Sequence, residues 1–354
     1  MPASTVVFVN GVNRLSPEQV RRGVDSPLAS IRLRCLLPAV GLRQLGHHTA
    51  LVSLPELGDP GVAEHLRDPA LRVVLGKLSP GTLARHAALC ATAFATLDRL
   101  AGLRPVHADV CDLLSPERGH TAAYCDLAIG RCRVVASTRW LAAHYAERCA
   151  VPPAVVEDPT ETPDARPPRF APGETLRLAW YGTWTVAAAR LVRTVLDDLA
   201  DLDRPIALDV VAQPDAAAEV AALGRAVAAG AGFARTVGHR SWSVAATAAA
   251  LAACDLVLLP QETAQSWGLA KSHNRLVEAI QHGRLAVASP IPAYRELDGC
   301  AWVGERLADG VRWALAHPAE AGARIVAGQA EVARRFALPA VARRWAEALE
   351  LPPA

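Results

Sequence analysis

Short apolar runs alternate with longer amphipathic stretches through the first half of the chain. The apolar runs predict strands at residues 5–9, 50–54, 72–76, 105–109, 132–136 and 153–156. The stretches between them predict helices at residues 28–46, 82–102, 119–128 and 138–149. Strands separated by helices pair in parallel through right-handed crossovers, so this pattern predicts a doubly wound α/β sheet.

Residues 158–173 are rich in proline and lack apolar periodicity, which is typical of a linker. The alternation then resumes, with predicted strands at 176–181, 206–212, 233–238, 255–260 and 285–290. Predicted helices follow these strands at 185–201, 214–229, 242–252, 271–282, 304–316, 318–335 and 338–350. The sequence therefore predicts two Rossmann-like domains, residues 1–157 and 174–337, which face each other across a ligand-binding cleft.

Composition narrows the class of protein. The 354 residues carry 37 basic and 35 acidic side chains, so there is no electrostatic case for a nucleic-acid partner. The eight cysteines contain no Cys-x-x-Cys pair, which favours free thiols in a reducing cytosol over zinc or disulfides. No signal peptide precedes the first strand, and the apolar stretches are too short to cross a membrane. We expect a cytoplasmic protein.

The most informative segment, residues 255–296, predicts a strand, a polar loop, a helix and a second strand. In the helix predicted from Lys271, Ser272 is the expected N-cap and Gly283 the C-terminal stop. Lys271, Arg275 and Glu278 stand at i, i+4 and i+7, which would place two cations and a carboxylate on one helix face. A helix start with such charges suits a nucleoside diphosphate and its ribose.

This segment resembles the donor-binding core of GT-B glycosyltransferases, in the family 4-like (group 1) bacterial branch. That branch has a Glu, seven residues, a second Glu followed by Ala, and a glycine step into a valine-rich strand. Residues 278–289 fit this frame from Glu278 onward, whereas Ala270 stands where the first glutamate belongs. Lys-Ser-x-Asn-Arg, as in residues 271–275, recurs in a less studied bacterial branch of the same superfamily. In GT-B proteins the final helix crosses back to the first domain, and residues 338–354 are placed to do so.

The resemblance implies an enzyme that moves a sugar from a nucleotide-diphosphate sugar to a hydroxyl acceptor, in bacterial surface glycan or natural-product glycosylation. The acceptor would be a glycan, a lipid-linked molecule or a small molecule. A GT-B-fold nucleotide-sugar epimerase and a non-catalytic donor-binding partner subunit are the alternatives. The expected donor-binding residues are Gly182, Thr183, Lys271, Ser272, Asn274, Arg275, Glu278 and Tyr294. No cofactor and no metal are expected, since GT-B enzymes usually bind the donor without one.

Three titratable residues of the first half form the candidate catalytic cluster. Asp109, Asp112 and His120 follow a predicted strand end, and an inverting enzyme would use one of them as its general base. A retaining enzyme would need none, because the leaving phosphate can take the proton. The alternatives are that the aspartates are loop caps, or that they form a metal site with His107. Residues 1–157 carry a mild positive excess, which is compatible with an anionic acceptor or peripheral contact with the cytoplasmic face of the inner membrane.

Overall fold

A computed structural model describes residues 4–11, 26, 28–229 and 233–352. The chain divides into two compact units, each of which contains one sheet. Unit 1 comprises Met1–Glu161, Ala270–Ser272 and Arg335–Ala354, and unit 2 comprises Thr162–Leu269 and His273–Arg334. The proline-rich segment is therefore shared between the units, with its first residues in unit 1 and the remainder in unit 2.

Unit 1 contains a six-stranded parallel sheet with the strand order β2-β1-β3-β4-β5-β6. Its strands are β1 Thr5–Val9, β2 His48–Val52, β3 Arg72–Leu75, β4 Val106–Val110, β5 Arg133–Ala136 and β6 Ala154–Val155. Its α-helices are Ala29–Ile31, Leu37–Gln44, Pro60–His65, Pro80–Arg85, Ala87–Leu103, Ala122–Cys125, Arg139–Tyr145 and Leu338–Ala348. Among the described residues, the unit also contains two π-helical segments (Arg32–Leu36 and Asp126–Arg131) and three 3-10 turns (Leu54–Gly58, Pro116–Arg118 and Ala146–Arg148).

The last helix of the chain, Leu338–Ala348, packs in unit 1 beside the helix Leu37–Gln44. Trp345, fully buried, meets the ring of Phe8 edge-on at a centroid distance of 5.8 Å. Val6, Val135 and Val341 join the same apolar cluster. The C-terminal helix therefore covers one face of the first sheet and belongs to its hydrophobic core.

Unit 2 contains a second six-stranded parallel sheet, with the order β12-β11-β10-β7-β8-β9. Its strands are β7 Leu176–Tyr181, β8 Ile206–Ala212, β9 Arg235–Ser241, β10 Leu256–Leu259, β11 Leu285–Ala288 and β12 Trp302–Val303. Its helices are Val186–Asp198, Ala217–Ala228, Val244–Ala253, Ser266–Leu269, Asn274–Gln281, Pro292–Arg295, Leu307–Ala316 and most of Pro318–Arg335, with 3-10 turns at Pro214–Ala216 and Asp298–Cys300. The strand order reverses between β7 and β10, the point at which such sheets usually bind ligands.

The helix predicted from Lys271 begins three residues later, at Asn274, with His273 at its N-cap position. Ser272 is therefore not a cap. Its hydroxyl instead donates to Asp158, at 2.6 Å, within unit 1. The predicted end of the helix is confirmed, since Gln281 is its last residue and Gly283 follows in the left-handed conformation (φ +70°).

Within the described residues, no helix is long and apolar enough to span a membrane. All eight cysteines are free, and five of them are buried.

Candidate functional site

The loop after β7 closes tightly against an arginine. Gly182 has φ +146°, and a β-carbon at this position would lie 3.1 Å from Arg275 Nη1. The loop is also fixed by Gln213, whose side chain accepts from the amide of Trp184 and donates to its carbonyl, both at 2.8 Å. A side chain at position 182 would therefore strain the backbone and would push the guanidinium away by a few tenths of an ångström.

Arg275 is the second residue of the helix Asn274–Gln281, and its guanidinium lies at the carboxyl end of β7. Nη1 donates to the carbonyl of Tyr181, the last residue of the strand, at 3.1 Å. The hydroxyl of Tyr181 in turn donates to the carbonyl of Arg275. The guanidinium also lies 5.9 Å from the ring centre of Trp180. Two predicted donor residues, Gly182 and Arg275, are thus neighbours in the structure.

The other predicted donor residues of unit 2 have different environments. Thr183 is exposed beside Gly182, and Asn274 opens the helix, with Nδ2 unbonded by any described residue. Glu278 is buried, and its Oε2 accepts from the hydroxyl of Thr162 at 2.9 Å. Tyr294 is almost fully buried in the short helix Pro292–Arg295. Trp184, the residue after Thr183, is a core residue packed against Trp180.

Lys271 and Ser272, the two remaining predicted donor residues, lie in unit 1 and precede the helix Asn274–Gln281. The prediction that Lys271 shares a helix face with Arg275 and Glu278 is therefore wrong. Its ammonium lies 3.4 Å from the carboxylate of Asp112. Ala270, at the position of the missing first glutamate, is fully buried in the hydrophobic core of unit 1.

Unit 2 also contains a cavity of about 350 Å³ beyond the carboxyl ends of β10 and β11. Gln261 and Glu262, which follow β10, line it together with Arg190 and Ser289. Glu262 is paired with Arg190, and the backbone N–H of Gln261 donates to Ser289 Oγ at 2.9 Å. The side-chain nitrogen of Gln261 is buried and has no hydrogen-bond partner among the described residues. The cavity thus offers donors and a carboxylate at the edge of the sheet where ligands usually bind.

Of the candidate bases in unit 1, Asp109 is held most firmly. It lies at the penultimate position of β4 and is 1% exposed, and Arg34 Nε donates to its Oδ1 at 2.8 Å. Arg34, itself buried, also donates to the carbonyl of Val156 and to Asp158. Burial raises the pKa of Asp109, and the charge of Arg34 opposes that rise. The carboxyl group is closed off by its ion pair, which is an arrangement typical of a structural role.

Asp112 lies two residues beyond β4 and binds two lysines. Lys77, two residues beyond the neighbouring strand β3, donates to its Oδ2 at 2.9 Å, and Lys271 approaches at 3.4 Å. Burial by itself would raise the pKa of Asp112, but the two ammonium groups outweigh it and the pKa is lowered. Asp112 is therefore ionised at neutral pH and neutralised by cations, which makes it a weak base.

His120 is the third candidate, and it is 6% exposed. Its Nδ1 lies 3.3 Å from the carbonyl of Ser115, and its ring stacks on Tyr124. No described residue bonds its Nε2. Burial lowers the pKa of His120, so the ring is neutral at neutral pH. With the proton on Nδ1 facing the carbonyl, Nε2 carries the lone pair that a general base requires.

Sequence reasoning missed several residues that shape these sites. Arg32 and Arg34, which follow the first strand, are both buried, and Arg32 pairs with Glu161. Lys77 and Gln213 are not among the predicted site residues, although Lys77 follows a strand end as Asp112 does. Within the described ranges, no group of three or more His, Cys, Asp or Glu side chains is placed to hold a metal ion.

Two six-stranded parallel sheets flanked by helices, with the strand orders given above, define an α/β protein of the GT-B fold. The fold predicted from the motif is thereby confirmed. A crystal structure of Anabaena Alr3699/HepE in complex with UDP and glucose is similar over 98% of this chain and 99% of that one, with a TM-score of 0.66 and 15% identity. A glycosyltransferase from Rickettsia africae matches over 99% and 98%, with a TM-score of 0.64 and 13% identity.

The lipopolysaccharide outer core galactosyltransferase WaaB, in its apo form, matches over 98% of this chain and 99% of its own, with a TM-score of 0.62 and 10% identity. No protein-family model matches the sequence, and no curated protein matches it. At these identities the likeness establishes the fold.

Proposed function

We propose that this protein is a glycosyltransferase, which moves a sugar from a nucleoside-diphosphate sugar to a hydroxyl group of an acceptor. The observation that carries the proposal is the position of Arg275 at the carboxyl end of β7, against a glycine turn and beside the switch point of the second sheet. The GT-B fold supports the same reaction class. UDP is the first nucleotide to test, because Anabaena HepE was crystallised with UDP.

Arg275 would stabilise the leaving diphosphate. One of its five N–H groups is used on the carbonyl of Tyr181, and that bond fixes the direction of the guanidinium. A fixed cation that faces the charge developing on the leaving group lowers the barrier without having to reorganise. Thr183 and Asn274 would supply further polar contacts to the donor, and Glu278 would bind its ribose.

His120 fits the role of general base better than Asp109 or Asp112. A base must be unprotonated before the reaction and must offer a lone pair, and the neutral ring of His120 meets both conditions. The carboxylates of Asp109 and Asp112, by contrast, are already paired with cations. We therefore propose an inverting mechanism in which His120 takes the proton of the acceptor hydroxyl. The retaining mechanism, in which the leaving phosphate takes that proton, is the competing possibility.

The proposal is tested by the affinity for UDP, measured by isothermal titration calorimetry. A charge-assisted hydrogen bond contributes about 1.5–3 kcal/mol, so Arg275→Gln should weaken UDP binding by about tenfold to a hundredfold. Arg193→Gln is the matched control, since Arg193 is an exposed arginine of the same unit that pairs with Asp197. UDP affinity that is equal in both variants would contradict the assignment of Arg275.

A thermal-shift comparison of UDP, GDP, dTDP, ADP and CMP would identify the donor class, because a ligand of the folded state raises the melting temperature. The biological setting that we propose is cytoplasmic synthesis of a bacterial surface glycan or glycosylation of a natural product.

A further inference from the structure

The chain contains only two lysines among its 37 basic side chains, and both contact the same carboxylate. Lys77 and Lys271 are 194 residues apart in sequence, and both lie in unit 1 against Asp112. Elsewhere the chain uses arginine for every positive charge. Lysine and arginine are not interchangeable, since an ammonium is a compact point charge with three freely rotating donors. The meeting of both lysines at one site is therefore a feature that requires a chemical reason.

The charges around Asp112 form two layers. In the inner layer Arg34 is fully buried and pairs with the buried carboxylates of Asp109 and Asp158. In the outer layer the side chain of Lys77 is 22% exposed and that of Lys271 is 36% exposed. Both ammonium groups contact the carboxylate of Asp112. The layer that solvent can reach thus has two cations for one anion. The six charges of the two layers balance overall, and an incoming anion would meet the two ammonium groups first, at the carboxyl ends of β3 and β4.

Lys77 remains charged in this setting. Burial would lower its pKa, but Cys111 and Asp112 outweigh that effect and the pKa of Lys77 is raised. A protonated ammonium cannot act as a nucleophile or as a general base. Two neighbouring ammonium groups that solvent can reach are suited to bind negative charge, and Asp112 holds them in position for it.

We propose that Lys77 and Lys271 bind an anionic group of the acceptor, either a phosphate or a carboxylate. This inference rests on the proposed function, because it assigns the acceptor to unit 1. His120 lies near this pair, since its ring stacks on Tyr124, whose hydroxyl accepts from the backbone N–H of Leu78, the residue after Lys77. An acceptor anchored by its anion on the two lysines would bring a hydroxyl group toward Nε2 of His120. The substrate class that follows is a hydroxylated acceptor with a phosphate or carboxylate close to the glycosylated hydroxyl.

The scarcity of lysine makes a direct test possible on the intact chain. Protein labelled with ¹³C at lysine Cε gives two side-chain signals in a ¹H–¹³C correlation spectrum, one for each residue of the pair. Titration with inorganic phosphate and with acetate reports on both lysines at once. Chloride at the same ionic strength is the control. We expect both signals to move with a single shared Kd. If neither moves beyond the chloride control, or if only one does, the pair is not an anion site.

Two variants sharpen the test. Lys77→Gln should weaken the phosphate response of the Lys271 signal about tenfold. Asp112→Asn should strengthen it severalfold, because the amide no longer neutralises the two cations. Arg67→Gln, in an exposed ion pair of the same unit, is the matched control and should change nothing. If Asp112→Asn weakens phosphate binding while the variant keeps its native circular dichroism spectrum, the carboxylate is part of the site and the inference fails.

UDP is titrated into the same samples, so that this inference and the proposed function can fail separately. If UDP binds but phosphate and acetate leave both lysine signals unmoved, the anion site is refuted and the proposed function stands. If phosphate moves the lysines but UDP does not bind, the anion site stands and the proposed function fails. If UDP moves both lysine signals at lower concentration than phosphate does, the pair belongs to the donor and the assignment to the acceptor is wrong.

Discussion

Replacing Arg34 with methionine should destabilise unit 1 strongly and in a pH-dependent way. Arg34 is 1% exposed and is bonded to Asp109, Asp158 and the carbonyl of Val156. Removing one partner of a buried ion pair costs about 3–5 kcal/mol, because the remaining charges stay buried without compensation. For a unit of this size that loss corresponds to a fall in Tm of roughly 6–20 °C. Urea denaturation followed by circular dichroism measures the change in free energy of unfolding.

The pH dependence of this stability loss tests the buried ion pair more specifically than its size does. Burial already raises the pKa of Asp109, and Arg34 opposes that rise, so the pKa rises further in Arg34→Met. A carboxyl group with a raised pKa in the folded state stabilises the fold at low pH and loses that contribution as pH rises. The loss in free energy of unfolding caused by Arg34→Met should therefore be largest at neutral pH and should shrink as the solution is acidified.

Two controls accompany this experiment. Adding Asp109→Asn to Arg34→Met should restore part of the lost stability, because it removes an unpaired buried charge. Arg131→Met, which breaks an exposed pair with Asp98, should cost less than about 1 kcal/mol. A loss below about 1 kcal/mol for Arg34→Met, unchanged from neutral to acidic pH, would refute the view that this cluster is a structural ion network.

Two further predictions concern the proposed sites. Gly182→Ala should lower both the Tm and the affinity for UDP, because the new β-carbon meets Arg275 Nη1 at 3.1 Å and φ is +146°. Calorimetry measures both properties, and an unchanged affinity for UDP would contradict this prediction. His120→Gln should reduce kcat by roughly 10²–10⁴-fold without changing UDP affinity, whereas Asp109→Asn should act mainly on stability. If His120→Gln turns over as fast as the native protein, the retaining mechanism is favoured.

Strand positions in unit 2 were predictable because buried parallel strands are nearly continuous apolar runs. Leu176–Tyr181 and Ile206–Ala212 were predicted with their observed bounds. The glycine that ends the helix Asn274–Gln281 was also predictable, because a left-handed residue after a helix is a local requirement.

The start of that helix was not predictable, because it is decided by a long-range contact. Ser272 has the sequence features of an N-cap, but its hydroxyl bonds Asp158, a residue 114 positions earlier. The same limit applies to Lys77 and Lys271, which meet at Asp112 through the topology of unit 1. Charged side chains with the spacing of a helix face indicate a shared site only where the helix forms, and residues 271–273 lie before it.

The central claim, transfer of a sugar from a nucleoside-diphosphate donor, is tested most directly by product analysis. Purified protein is incubated with UDP-sugars and hydroxylated acceptors that carry a phosphate, a carboxylate or no charge, and the products are identified by mass spectrometry. We predict release of UDP together with an acceptor heavier by one sugar residue, and loss of both products in Arg275→Gln. Binding of UDP without any glycosylated product, across the acceptors and the donor sugars tested, would contradict the account.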